Sequence, residues 1–444
     1  MLLILENHCA IIIWNANFDS ERKFDMKNFV LVFDGMADRP VPELGNTTPM
    51  DKADAPTLAE ISAHGIVGTA LNVPSALRPE SDTANLAIMS YDPLIYSNGR
   101  SPLEALSLGI DLLPEDTAVR CNVVTLSDAE NYEDRVMLDH SADEISSEEA
   151  RILIEFIQEK LGSDSVCFYP GVSYRHCSVW KNADPKFVFT PPHDIIGKRI
   201  CEYLPTGEEG VKYYNVMKKS AELLADHPVN LKRIAEGKNP ANSVWFWSPG
   251  KKPALPSFDE KWGLKSAVIS AVDLIKGIAI AAKMKSIDVE GATGNIHTNY
   301  EGKAEAAIKA FDDGYDYVYV HVEAPDECGH RGEIENKVLS IEYIDKRILA
   351  PVKRHLDSTG EPYRIMCLPD HPTPLEIRTH SREHVPFVIY SSEADIRMLN
   401  GKFNEENAVK TGLDIPDGTK LLPLMLNIDK NTTESNVNEL LGRI

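Results

Sequence analysis

The chemistry-bearing residues of this chain are concentrated in a few short segments rich in aspartate and histidine. Asp326-Glu327-Cys328-Gly329-His330 sets an acid and an imidazole four residues apart, a spacing that lets both point the same way from one helical turn or a tight loop. Asp370-His371 places two hard ligands side by side, Thr379-His380-Ser381-Arg382-Glu383-His384 adds two imidazoles, and Asp34 follows an apolar run. Three aspartates with two or three histidines suit a pair of divalent cations about 3.5–4 Å apart. Oxygen and imidazole donors favour Mn2+, Zn2+ or Mg2+ over a soft metal. Each piece also has an ordinary use: an Asp after a strand is commonly a cap or turn residue, and Asp-His-Pro can be a turn. Ser81, in Pro79-Glu80-Ser81-Asp82-Thr83-Ala84-Asn85-Leu86, is the nucleophile candidate. A serine ahead of a helical run is most often an N-cap, and a helix N-terminus also favours phosphate. A cation on its oxygen would lower the hydroxyl pKa, without which serine is a weak nucleophile near neutral pH.

The elements that must position these groups alternate along the chain. Residues 29–33, 118–126, 166–169, 179–180, 315–322 and 364–368 read as strands, and 57–64, 148–161 and 334–354 as helices. That order predicts α/β layers around a largely parallel sheet flanked by helices. Asp34, Asp326 and Asp370-His371 follow predicted strands, and Ser81 opens a helix-like run over 83–90. Open α/β sheets bind ligands at such carboxyl ends. Proline and loop signals gather in 118–258, which reads as a smaller α/β domain inserted into a discontinuous core of 26–117 and 259–444. The most apolar helix candidate, 267–284, is interrupted by Asp273, Lys276 and Lys283, so it reads as a core helix and not a membrane span.

A length of 444 residues predicts two or three domains, and 43% apolar with 26% charged residues is ordinary globular composition. The net charge of -22 repels nucleic acid and anionic lipid and excludes both as expected partners. An anionic substrate would then need local cations, for which Arg100, Arg120, Arg175, His176 and Lys303 are the candidates. The seven cysteines are scattered with no Cys-x-x-Cys pair, which argues against a disulfide framework or thiolate zinc site and fits a reducing cytoplasm. The apolar stretch 2–14 carries Glu6, Asn7 and His8, lacks a basic leader and is too short to span a bilayer. Residues 1–25 therefore read as a poorly ordered extension, with Met26 as an alternative start.

Phe33-Asp34-Gly35-Met36-Ala37-Asp38, Ser81-Asp82-Thr83-Ala84-Asn85-Leu86, Gly99-Arg100-Ser101-Pro102-Leu103-Glu104-Ala105, His321-Val322-Glu323-Ala324-Pro325-Asp326-Glu327-Cys328-Gly329-His330 and Pro369-Asp370-His371-Pro372-Thr373-Pro374 together resemble the archaeal-type cofactor-independent phosphoglycerate mutases. The resemblance runs from about residue 26 to 400. It implies an alkaline-phosphatase-like core and a mutase that interconverts 3- and 2-phosphoglycerate without 2,3-bisphosphoglycerate. It implies two divalent ions, Mn2+ first with Zn2+ or Mg2+ as alternatives. Asp34, Ser81, Asp370 and His371 would hold one ion, Asp326, His330 and His380 the other, and Ser81 would accept the phosphoryl group. The family's register before Pro-Val-Pro selects His380, with His384 as the rival ligand. The substrate would be a small phosphorylated acid, and the protein a monomer or small homo-oligomer. Two departures stand out. Asp139-His140-Ser141-Ala142-Asp143 replaces the family's Asp-Arg-Ala-Gly-Arg, and Gly99-Arg100-Ser101-Pro102 replaces Gly-Arg-Gly-Pro. The first leaves the acid-binding group open and resembles a neighbouring branch proposed to be homoserine kinases; a phosphomonoesterase on the same scaffold is a further alternative.

Overall fold

The computed structural model describes residues 26–187 and 189–444, so the expectations for 1–25 lie outside the described residues. Among the described residues, thirteen strands form two sheets. In chain order they are β1 Lys27–Phe33, β2 Ile66–Ala70, β3 Thr117–Leu126, β4 Met137–Asp139, β5 Val166–Tyr169, β6 Arg175–Trp180, β7 Ser243–Lys251, β8 Ser266–Ile269, β9 Lys285–Ile287, β10 Tyr317–Val322, β11 Tyr363–Leu368, β12 Val385–Ser391 and β13 Asp414–Ile415.

The larger sheet has the order β13-β2-β12-β11-β1-β10-β8-β9, and only β12 runs against its neighbours. Its strands are apolar because both faces are covered. In β1, Phe29, Leu31 and Phe33 enter one core while Val30 and Val32 enter the other. The mostly parallel sheet predicted from the sequence is the one found. β10 and β11 flank β1 and run parallel to it, so three carboxyl ends lie side by side at the middle of the sheet.

The smaller sheet joins β4, β3, β6 and β5, with β7 also on β3, and every pairing is antiparallel. Val119, Cys121 and Val123 of β3 face a separate core shared with helices Ser147–Leu161 and Gly207–Leu224. The Ser146 hydroxyl caps the first of these helices by accepting from Glu149 N at 3.2 Å. On the opposite face, Arg120 meets helix α1, Arg100–Ser107. The Ser101 Oγ of α1 accepts from Arg120 N and donates to Ser248 O of β7, stitching this helix to the small sheet.

Three local expectations change. Residues 267–284 are not one helix: 266–269 form β8, buried between β10 and β9, and the helix is Asp273–Ala281. An apolar run buried in a parallel sheet lacks the alternation that separates strand from helix. Residues 334–354 are broken by a wide turn at Asp345–Leu349, where Pro351 has no N–H for the ladder. There Asp345 accepts instead from Leu58 N at 2.7 Å and Thr57 N at 3.2 Å. Ser81 is not an N-cap: it is the first residue of helix Ser81–Ile88, Glu80 occupies the cap, and the serine hydroxyl points elsewhere.

Candidate active site

Three adjacent strand tips deliver the acids. Asp34 follows β1, Asp370 follows β11, and Asp326 lies in helix α2, Ala324–Arg331, which begins where β10 ends. All three are buried. Asp326 and His330 share one turn of α2, as their spacing predicts, and approach to 3.2 Å. His380 Nε2 comes within 3.3 Å of Asp326 and 2.9 Å of His330 Nε2. His371 stands between the two groups of residues: its ring centre is 4.0 Å from that of His380, and its Nε2 is 3.6 Å from both Asp34 and Asp370. Ser81 Oγ completes the cluster 3.2 Å from His371 Nε2. His384 is elsewhere, with its Nδ1 2.6 Å from Asp414 at the edge of the sheet.

Hydrogen bonds hold these side chains from behind. Asp370 accepts from Gly35 N at 3.2 Å and from Asn85 Nδ2 at 2.8 Å, and Asn85 in turn receives the Tyr319 hydroxyl. His380 Nδ1 donates to Pro79 O at 2.6 Å, which turns its Nε2 toward Asp326. His330 Nδ1 likewise donates to Arg378 O at 3.0 Å.

The clustered acids and imidazoles shift one another's ionisation. Burial and the neighbouring Asp370 push Asp34 well above the ordinary carboxylate range. Burial opposes ionisation of Asp326 too, but hydrogen bonds with His330 and His380 prevail and hold it well below that range. The same contact with Asp326 raises His330 to about 9. Burial lowers His321 to about 4, leaving a neutral imidazole whose Nε2 is 3.2 Å from Asp34 Oδ2. Asp34 Oδ1 and His321 Nε2 are buried with no hydrogen-bond partner. Such orphaned atoms cost free energy in a dry interior, and a divalent ion would satisfy them. Among the described residues, Asp326, His371 and His380 could hold one ion and Asp34, His321 and Asp370 another, and His371, 3.6 Å from Asp34 and Asp370, is equally within reach of the second group. The donors fit the oxygen-and-imidazole chemistry expected of the pair.

His321 and Glu323 were not among the site residues expected from the sequence. Glu323 groups with Asp34 and Asp326, and burial raises it to about 7. The available signal was a histidine inside the otherwise apolar β10 run Tyr-Val-Tyr-Val-His-Val.

The expected substrate-binding cations disperse. Arg100 stays near the serine: its Nη1 is 3.9 Å from Glu80, and its Nε is buried without a partner. Arg120 is held by the Glu104 carboxylate and stacks over Trp247 at 4.5 Å, so its charge is already matched. Arg175 is exposed beside the Tyr174 ring. His176 is buried, accepts from Gly171 N at 3.0 Å, and is lowered to about 3 by burial. Lys303 is fully buried and donates to the main-chain oxygen of His321 at 2.8 Å, supporting the site without lining it. Asp139 holds a local turn by accepting from Ser141 N at 2.8 Å, and Asp143 ties that turn to a distant segment by accepting from Asn239 N at 2.6 Å.

Known proteins share this arrangement of sequence and fold. A mutase of Methanosarcina barkeri is 48% identical over 402 residues, covering 90% of this chain and 99% of its own. The chain belongs to the 2,3-bisphosphoglycerate-independent phosphoglycerate mutase family. A second family member, from Methanothermobacter thermautotrophicus, is 41% identical over 406 residues, covering 90% of this chain and 98% of its own. The model of the 2,3-bisphosphoglycerate-independent phosphoglycerate mutase family matches residues 62–230. The solved cofactor-independent phosphoglycerate mutase of Thermoplasma acidophilum aligns with a TM-score of 0.64 at 26% identity, covering 90% of this chain and 99% of its own. A Pyrococcus horikoshii protein aligns with a TM-score of 0.76 at 29% identity, covering 95% and 98%.

Proposed function

We propose that this chain interconverts 3-phosphoglycerate and 2-phosphoglycerate through a phosphoserine at Ser81. The observation that carries the reading is the place of the Ser81 hydroxyl, 3.2 Å from His371 at the rim of a buried carboxylate and imidazole cluster. Asp34, Asp370 and His371 with Ser81 would hold one divalent ion, Asp326, His330 and His380 the other, and Mn2+ is the first choice. When bound, such ions activate a hydroxyl and neutralise charge on a transferring phosphoryl group.

The remaining work falls to the protein. Ser81 stands in the first turn of its helix, where free N–H groups and the helix dipole favour a phosphoryl group. Its Oγ forms a bond to phosphorus as the glycerate oxygen leaves, and the serine proton passes to that oxygen. The glycerate turns, its other hydroxyl attacks the phosphoserine, and Ser81 recovers its proton. Arg100, whose buried Nε has no partner, would be the cation that steadies the substrate. Residues 118–258 serve as the cap and 26–117 with 259–444 as the catalytic core; exclusion of water by the cap separates a mutase from a phosphatase. A reducing cytoplasm fits the cysteines, which are all free among the described residues.

Incubation with 3-phosphoglycerate followed by peptide mass spectrometry should find phosphate on Ser81; phosphate on another residue rejects the nucleophile. A parallel assay with homoserine and ATP tests the other acceptor. Turnover of that pair alone would replace the substrate and leave the site unchanged.

A further inference from the structure

We infer that Thr373 is a positioning residue whose single hydroxyl ties the two halves of the ion site together. The inference rests on the two-ion reading above and adds to it the device that keeps both ligand sets in register. Thr373 is fully buried just beyond β11. Its Oγ1 lies 2.5 Å from Asp326 Oδ1 and 3.3 Å from His371 Nδ1, so under the assignment proposed above, with His371 beside Asp34 and Asp370, it touches one residue of each set.

Proton counting gives this contact a direction. A carboxylate has no proton to give, so the threonine O–H donates to Asp326. A hydroxyl has one proton, so the contact with His371 requires Nδ1–H to donate to Oγ1. His371 Nε2 is then the lone-pair nitrogen, and it is the atom facing Ser81 Oγ at 3.2 Å. One hydroxyl therefore sets the tautomer of one ligand and the orientation of another.

The backbone around Thr373 is clamped to match. Its carbonyl accepts from the buried Lys337 ammonium at 2.8 Å, and Lys337 also pairs with Asp38 at 2.7 Å. Asp38 accepts from Leu375 N at 3.2 Å, fixing the chain two residues on. From the β1 tip, a Cβ at Gly35 would stand 2.6 Å from the same Oγ1. The hydroxyl thus joins the segment after β11 to the helix that follows β10, with no room for a side chain between it and Gly35 at the β1 tip. A shift of either Asp326 or His371 would break a bond to the hydroxyl they share.

The test is calorimetric titration of ion-free protein with Mn2+, on wild type, Thr373→Ser, Thr373→Val and Thr373→Ala, with circular dichroism as the control for folding. Wild type should take up two ions, and Thr373→Ser should stay within roughly threefold of it. Valine and alanine should weaken Mn2+ binding about 10–100-fold, the usual loss for a residue that orients a ligand. The alanine variant relieves any crowding by valine and keeps the test open if the latter misfolds. Wild-type affinity in a folded valine or alanine variant overturns the inference, and so does a serine variant as weak as alanine. Two ions bound by wild type with those results leave the two-ion reading standing; no Mn2+ uptake by wild type removes both.

Discussion

The ammonium of Lys303 donates to the main-chain oxygen of His321 at 2.8 Å, a fully buried cation next to a cluster of acids. Burial lowers its pKa to about 8, against roughly 10.4 in an unfolded chain. Between those values the unfolded state holds a proton that the folded state has lost, so this group makes stability rise with pH across that window. Lys303→Met should abolish that part of the rise. Urea midpoints of the two proteins at pH 8 and pH 10 measure it, and an equal rise in the variant would count against the assignment.

Gly35 has φ +64° and offers no room: a Cβ there would stand 2.6 Å from Thr373 Oγ1 and 2.7 Å from Asp326 Cα. Gly35→Ala should destabilise the fold by about 1–3 kcal/mol and, if Asp326 holds an ion as proposed, lower mutase turnover at least tenfold, because the strain falls on Asp326. Gly45 has φ +76° with nothing within 4 Å, so Gly45→Ala should cost only the backbone term of about 1 kcal/mol and leave activity intact. Thermal melts and initial rates on the pair separate site damage from backbone strain.

His380 and His384 should part company on mutation. His380 Nε2 faces Asp326 at 3.3 Å, whereas His384 is engaged with Asp414 at 2.6 Å. His380→Ala should lower Mn2+ affinity and activity by about two orders of magnitude or more. His384→Ala should change both by less than roughly twofold, as is usual for a surface pair. Bound metal and turnover measured side by side decide between the two histidines; the reverse order would make His384 the ligand.

In ion-free protein His330 is raised to about 9 by its contact with Asp326, so at neutral pH it carries a proton that an incoming ion must displace. Mn2+ affinity should therefore climb with pH, about tenfold per unit for each proton displaced, and level off above about pH 9. Calorimetry in buffers of different ionisation enthalpy counts the protons released. A pH-independent affinity below that value would show that His330 is not displaced. Chelator should abolish turnover, and Mn2+ should restore it.

Arg120 and Glu104 form a largely buried pair, with 9% and 21% of their side chains exposed. Glu104→Gln leaves the guanidinium buried without its counter-charge and should destabilise the protein by about 3 kcal/mol. Denaturant unfolding checks the size of the loss. A variant as stable as wild type would mean that the arginine charge is matched by another group.

Much of the site could be read from the chain because its local parts are short and chemically unambiguous. The four-residue spacing of Asp326 and His330 works through one helical turn, and Asp34 and Asp370 end apolar strands. Other features were hidden by burial. The run 266–269 is apolar on both faces, so periodicity could not distinguish β8 from the helix after it. The cations were no clearer, since a sequence records the charge of Arg120 or Lys303 but not the Glu104 or His321 oxygen that engages it.

The amino-acid sequence by itself determined the α/β class and the kinds of residue in the candidate site, the serine among them, because alternating apolar runs and short polar motifs are local properties. Tertiary structure alone decided which of those groups meet. Asp34 and Asp370 become neighbours because β1 and β11 pair in parallel, and their distance along the chain carries no trace of that pairing. The same folding brought His321 in from β10, sent His384 to Asp414, and set one threonine hydroxyl between Asp326 and His371.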